Sequence, residues 1–276
     1  GVTPAQPFWQ QKALIALERM VGRITTHWVA VSQADRRQGI EWGLFTASKV
    51  SVVRPGIDPT AFAARIESPE RDRLRAMLGV APDQLLVGTV SCLKPQKSPE
   101  DFVRVAALVC QRVPAARCVL VGDGALRPKV EALLLEQGLQ DRVTLLGWRR
   151  DVAALLKAFD VFVLTSQWEG LPCAILEARA SRIPTVATRV GGAAEAIVEG
   201  IQGTLCPAGD VRAMAERVCQ ILEDERFRAD LRAGTQELPE EFTIQETLKQ
   251  YQSLYAYLLH ATRPSEDVMK LQPNRL

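Results

Sequence analysis

Seven short runs rich in β-branched and apolar residues punctuate this chain: Trp28–Ser32, Val50–Val53, Leu85–Ser91, Arg117–Val121, Val143–Leu146, Val161–Thr165 and Thr185–Ala187. Stretches with helical periodicity separate most of them. Strands that are apolar on both faces and joined by helices pair in parallel, and a parallel sheet must be covered on both sides. The alternation therefore predicts a doubly wound parallel α/β sheet. The clearest helix is Ser98–Arg112. Ser98 suits an N-cap, Pro99 the first helical position, and Glu100 and Asp101 the positive helix end, while Phe102, Val105, Ala106, Val109, Cys110 and Val113 form one stripe.

A chain of 276 residues holds one large or two small domains, and 47% hydrophobic with 24% charged residues excludes disorder, a coiled coil and a disulfide scaffold. A net charge of +2 gives no reason to expect a nucleic-acid partner. The six cysteines (Cys92, Cys110, Cys118, Cys173, Cys206 and Cys219) show no C-x-x-C spacing, which predicts reduced thiols and no metal site. No run approaches the ~20 apolar residues that span a bilayer. The helix Pro7–Val21 carries a stripe of Phe8, Trp9, Leu14, Ile15, Leu17 and Met20, which is expected to pack as core rather than lie on a membrane. Turn residues at Arg54–Pro59 end one βα segment and begin another. A charge-rich stretch, 223–239, precedes an amphipathic helix at Phe242–Leu259 with Leu248, Tyr251, Leu254, Tyr255, Leu258 and Leu259 on one side.

Ligands of parallel α/β sheets bind beyond the carboxyl ends of the strands, so chemistry is sought in those loops. Four stand out: Cys92-Leu93-Lys94-Pro95-Gln96-Lys97, Gly122-Asp123-Gly124 with Arg127, Ser166-Gln167-Trp168-Glu169-Gly170-Leu171-Pro172 leading to Glu177, and Val190-Gly191-Gly192 before Glu195. Cationic side chains, bare backbone N–H groups and helix N-termini favour a phosphate. With Pro172 as the first helical residue, Glu177 lies about 7.5 Å further along the axis. Two carboxylates then bracket a helix N-terminus, and each can accept hydrogen bonds from paired sugar or ribose hydroxyls. A nucleotide sugar has that layout.

The order of these pieces resembles the nucleotide-sugar-binding half of the retaining glycosyltransferases of family 4, which have the GT-B fold with Rossmann-like halves. The resemblance rests on Glu169-Gly170-Leu171-Pro172, Glu177, Val190-Gly191-Gly192, Gly200-x-x-Gly203 and Pro207-x-Gly209-Asp210. Upstream, Ala30-Val31-Ser32, Arg54-Pro55-Gly56-Ile57-Asp58 and Phe62 resemble the crossover between the halves, and Val121-Gly122-Asp123-Gly124 with Leu146-Gly147 the next strand ends. It implies that Glu177 holds the ribose and that Glu169 meets the donor sugar, positioning it rather than deprotonating it. The backbone of Gly170, Leu171 and Pro172 would face sugar and diphosphate, with Gly191 and Gly192 opposite. The loop through Gly147, Trp148 and Arg149 would line the base. Lys97 takes the second place of a basic pair that neutralises the diphosphate, but Cys92 stands at the first, usually arginine, and Ser91 where glycine is common. Lys94 is the substitute proposed for that missing charge.

The implied reaction is metal-independent transfer of a hexose from a UDP- or GDP-sugar with retention, using no further cofactor. The implied partners are the donor and an unknown acceptor, with a lipid-linked or cell-envelope glycan as the class the resemblance suggests, in the cytoplasm or at the inner face of a membrane. Peripheral membrane contact would come through the acceptor half. The implied division is an acceptor-domain remnant and crossover at 1–54, a donor domain at 55–240, a returning helix at 241–260 and a flexible tail at 261–276. Because so little precedes Gly56, the expectation is a donor half with a fragment of its partner, transferring little alone and leaving part of the last helix bare.

Other readings remain open at this level. Gly122-x-Gly124 begins a dinucleotide fingerprint, but Arg127 occupies the third glycine's place and the motif does not follow the fold's first strand. A sugar-nucleotide epimerase or hydrolase of the same fold and a binding subunit without activity are closer alternatives. Arg127 is either a phosphate ligand or the partner of an acid on its own helix. Asp123 is a turn residue, Trp148 either base platform or core rim, and Cys92, His27 and His260 structural.

Overall fold

In a computed structural model of the chain, residues 2–3, 5–63, 68–235 and 238–262 are described. Most of the tail expected at 261–276 lies outside them. The chain opens with α1 (Phe8–Ile24), β1 (Trp28–Ala30), α2 (Gln33–Glu41) and β2 (Val50–Val52), and β1 and β2 pair in parallel as a two-stranded sheet. Two short helices follow, α3 (Thr60–Ala63) and α4 (Ser68–Met77). The main alternation is β3 (Leu85–Val90), α5 (Pro99–Arg112), β4 (Ala116–Val121), α6 (Arg127–Glu136), β5 (Val143–Gly147), α7 (Val152–Ala158), β6 (Val161–Leu164), α8 (Cys173–Ala180), β7 (Thr185–Thr188), α9 (Ala193–Ala196) and β8 (Gly203–Cys206). Helices α10 (Val211–Glu223), α11 (Glu225–Gly234) and α12 (Ile244–Thr262) complete the described chain.

The second sheet has six parallel strands in the order β5-β4-β3-β6-β7-β8. Strand residues alternate between two cores, as the pleat demands. Val87, Cys118, Leu120, Val161 and Val163 face α5, α6 and α10 on one side. Leu86, Val119, Val121, Phe162 and Leu164 face α7, α8 and Phe242 on the other. Gly88 lies where a Cβ would sit 2.1 Å from the Phe159 ring, so a side chain there would displace that core aromatic. The winding reverses between β3 and β6, the place where a doubly wound sheet opens a crevice at its carboxyl edge.

Several expectations need correction. Ser32 ends no strand; it caps α2, its Oγ accepting from the Asp35 amide at 3.0 Å. Strand β8 was not expected, because Gly203-Thr204-Leu205-Cys206 is too short and glycine-led to show a period. Ser98 precedes α5 but does not cap it through its side chain; it has φ +46 and its Oγ donates to Asp101 Oδ2 at 2.7 Å. Helix α8 begins at Cys173, with Pro172 one residue ahead of it. The α1 stripe is not core, since no residue of α1 is buried and Trp9 is 69% exposed.

The last helix is pinned to the crossover after β2. Ile57 N donates to Phe242 O at 3.0 Å, Ile244 N to Ile57 O at 2.9 Å, and Thr247 Oγ1 to Arg54 O at 2.8 Å. Gly56 makes this possible, for a Cβ there would lie 2.2 Å from the Thr243 carbonyl. Beyond that clasp Leu248, Tyr255 and Leu259 of α12 are exposed, as expected for part of this helix.

Candidate functional site

The crevice between β3 and β6 brings the first and third loops together. After β3 a short 3-10 turn, Pro95–Lys97, is tied to the loop after β6: Gln167 N donates to Gln96 O at 2.7 Å, and Thr165 Oγ1 to the carbonyls of Lys97 and Ser98 at 3.0 Å each. Lys97 Nζ forms an ion pair with Glu169 Oε1. Ser166 Oγ donates to the same oxygen at 2.5 Å, while Gln96 Nε2 reaches Oε2 at 3.4 Å. Both charged side chains are largely buried, at 17% and 6% exposed, so each offsets part of the other's desolvation. The sequence expectation set these two residues on different parts of a ligand; the structure pairs them with each other.

The loop after β7 packs backbone to backbone on Glu169 and Gly170. Gly192 N donates to Gly170 O at 2.6 Å. Gly191 has φ +48, and a Cβ on it would lie 1.7 Å from Glu169 O. Only glycine permits that approach. Leu171 is buried in the core and Pro172 is buried beside it, so they offer backbone rather than side chains to a ligand.

Glu177, in the second turn of α8, is half-buried, and its side chain makes no hydrogen bond or ion pair to another described residue. Burial alone raises its carboxyl pKa, with no compensating donor or cation. Cys173, at the start of the same helix, feels burial first, then Glu177, both raising its thiol pKa, while Lys97 opposes them. The two glutamates therefore differ: Glu169 is fully engaged, and Glu177 has its acceptor capacity unused.

The remaining candidates are dispersed. Lys94 is exposed at the entrance of the Pro95–Lys97 turn. Arg149, after β5, is clamped by Asp151 through Nε at 2.8 Å and Nη2 at 2.6 Å, and Trp148 beside it is exposed, not core. Arg127 pairs with Glu131 on its own helix and with Asp123, each at 2.8 Å. His27 Nε2 lies 2.9 Å from Ser51 Oγ, tying β1 to β2.

Three groups escaped the sequence reading. Ser166 and Gln96 hold the Glu169 carboxylate. Glu195 accepts from the amides of Gln33 and Ala34 at 3.1 and 2.9 Å and from Arg54 Nη2 at 2.9 Å, linking the loop after β7 to the N-terminus of α2. A cavity of about 710 Å³ opens beside Glu169, walled by Asp35, Gln38, Trp42, Trp168, Gly170 and Gly191. Burial raises the Asp35 carboxyl pKa; the Ser32 hydrogen bond opposes this and Glu195 adds to it. The Glu195 contacts join residues more than 100 positions apart and Gln96 reaches Glu169 from another loop, so no local pattern announces them, whereas Ser166 lies three positions from Glu169 in the same loop.

Residues 70–238 match the family described as glycosyl transferases group 1. The UDP-Gal:alpha-D-GlcNAc-diphosphoundecaprenol alpha-1,3-galactosyltransferase of Escherichia coli is 28% identical over 87% of this chain and 62% of its own length. The N-acetyl-alpha-D-glucosaminyl L-malate synthase of Bacillus anthracis is 31% identical over 66% of this chain and 48% of its own. The chain thus spans about half to three-fifths of these relatives. Among solved structures, Anabaena Alr3699/HepE in complex with UDP-glucose superposes with a TM-score of 0.80 at 26% identity, covering 89% of this chain and 68% of that one. With the strand order, the crevice and the family match in agreement, this chain belongs to the glycosyl transferases group 1 and has the Rossmann-like fold of GT-B enzymes.

Proposed function

We propose that the chain binds a nucleoside diphosphate sugar, UDP-linked by preference, in the β3/β6 crevice and serves hexosyl transfer to an acceptor with retention of configuration. The observation that carries this is Glu177, a half-buried carboxylate whose acceptor capacity no described residue uses, beside the leading amides of α8. Paired ribose hydroxyls are the chemistry that satisfies it. A diphosphate at the α8 N-terminus draws Lys97 away from Glu169, and the carboxylate, still held by Ser166 and Gln96, turns to the hydroxyls of the donor sugar. Charge that builds on the departing β-phosphate is met by Lys97 and the α8 amides, so this reading uses no metal and no cofactor. Lys94, exposed just ahead of the Pro95–Lys97 turn, would supply a further cation in this reading.

The preference for UDP is supported by the Anabaena complexes with UDP and UDP-glucose and by the UDP-Gal named for the E. coli relative. That relative's lipid-diphosphate acceptor also supports a lipid-linked acceptor here. The cavity beside Glu169 gives space for the meeting of sugar and acceptor. No observation favours the epimerase, hydrolase or purely binding alternatives.

Calorimetric titration of UDP and UDP-glucose into the wild type and Glu169→Ala tests the roles. Free UDP is expected to bind the variant as well as it binds the wild type, because Lys97 is released to the diphosphate. UDP-glucose is expected to bind it about tenfold more weakly, for one lost charge-assisted hydrogen bond of ~1.5 kcal/mol. Equal losses for both ligands refute the assignment of Glu169 to the sugar.

A further inference from the structure

The amino ends of β6 and β7 frame a second cavity, of about 490 Å³, at the opposite edge of the sheet from Lys97 and Glu169. Among the described residues, Arg71, Lys157, Arg182 and Arg232 lie in its wall and no carboxylate does, while Phe62 and Ile183 give it an apolar side. Asp160 stands behind the wall. Its Oδ1 accepts from Arg71 Nη2 at 2.8 Å and Arg232 Nη2 at 3.1 Å, and its Oδ2 from Arg75 Nη1 at 3.0 Å and the Leu86 amide at 2.8 Å. Among the described residues, one negative charge serves three guanidiniums before Lys157 and Arg182 are counted.

Part of this cationic excess has a local explanation. Arg71 Nε donates to Lys157 O at 3.2 Å and Arg75 Nη1 to Ala158 O at 3.0 Å, so both answer carbonyls at the C-terminus of α7. Lys157 Nζ reaches Ala61 O at 3.5 Å. Those carbonyls do not account for the rest. Arg232 Nε and Ser181 Oγ, on two wall residues, are shut off from water with no partner among the described residues. Burial lowers the Arg232 pKa, Asp160 opposes that, and Arg71 and Arg228 add repulsion. Arg182 has φ +58, a left-handed conformation unusual for a residue with a long side chain, and it sits at the cavity edge.

We propose that this cavity is an anion site for a phosphate monoester or a diphosphate, with the ligand's apolar part against Phe62 and Ile183. A multiply charged phosphate balances more than one of the excess cations and offers several acceptors to guanidinium forks, which a single carboxylate does not. The site lies across the sheet from the donor crevice and stands whether or not that crevice binds a nucleotide sugar.

The test is calorimetric titration of inorganic pyrophosphate into Lys97→Ala protein, in which the β3 loop is disarmed, and into the same protein carrying Lys157→Ala and Arg182→Ala. Neither added substitution touches Asp160, and circular dichroism melts verify folding. Pyrophosphate is expected to bind the parent and to lose about tenfold or more in affinity with the two cations removed. No binding to the parent, or equal affinity in both proteins, overturns the proposal. Sedimentation with phosphatidylcholine vesicles containing phosphatidic acid separates the sources. Co-sedimentation that Lys157→Ala and Arg182→Ala abolish assigns a lipid headgroup, and pyrophosphate binding without co-sedimentation assigns a soluble phosphate.

Discussion

Replacing Glu177 by glutamine should move two observables in opposite directions. The carboxylate is half-buried with no partner among the described residues, and burial raises its pKa above that of the unfolded chain. A group whose folded-state pKa is raised contributes stability below its unfolded pKa and loses it as pH rises through the folded value. At neutral pH Glu177 therefore costs stability, and Glu177→Gln is expected to melt higher than the wild type at pH 7, with the difference vanishing at acid pH. Binding should go the other way. Charge-assisted hydrogen bonds are about twice as strong as neutral ones, so two ribose hydroxyls on this carboxylate each lose ~1 kcal/mol when it becomes an amide, a total of ~2 kcal/mol or roughly 30-fold in UDP affinity. Differential scanning fluorimetry across pH and calorimetry with UDP measure both. A lower melting temperature, or an unchanged affinity for UDP, refutes the reasoning.

Removing Glu195 leaves the Gln33 and Ala34 amides and Arg54 without their shared acceptor, so Glu195→Ala should lose about 2–3 kcal/mol in urea unfolding. The Asp160 carboxyl pKa is held below its ordinary value; burial opposes this, but the Leu86 amide and then Arg71, Arg75 and Arg232 outweigh it. Its contribution is present above the unfolded pKa of about 3.9 and fades as pH falls through the folded value, and Asp160→Ala should cost about 3–5 kcal/mol at pH 7 and less in acid, measured by denaturant midpoints across pH. Gly191→Ala places a methyl where Glu169 O stands and should abolish UDP-glucose binding in calorimetry while the far-ultraviolet dichroism remains native.

The sheet was legible because its strands are apolar on both faces and its helices keep one stripe, as in α5, where Phe102, Val105, Ala106 and Val109 are all buried. Strand β8 was not legible, since four residues opened by a glycine carry no period. The α1 stripe misled for another reason. Amphipathicity says that a face seeks a cover, not that the described chain supplies one, and Phe8, Trp9 and Ile24 are exposed. Within the site, Glu169, Glu177 and Lys97 could be picked out because strand ends and helix starts mark them. The Lys97–Glu169 ion pair and the Glu195 tie could not, because each depends on how segments distant in sequence meet: two loops at the sheet's reversal in the first, the loop after β7 and the start of α2 in the second. Arg149 shows the converse: a basic residue in a well-placed loop is taken up by Asp151 two positions on.

The central claim is that the crevice between β3 and β6 receives a nucleoside diphosphate sugar, and hydrogen–deuterium exchange of the ligand-free protein against protein saturated with UDP-glucose tests it most directly. Protection is expected in 91–97, 166–177 and 190–192. Protection confined to other segments, or none with UDP-glucose in millimolar excess, contradicts the account.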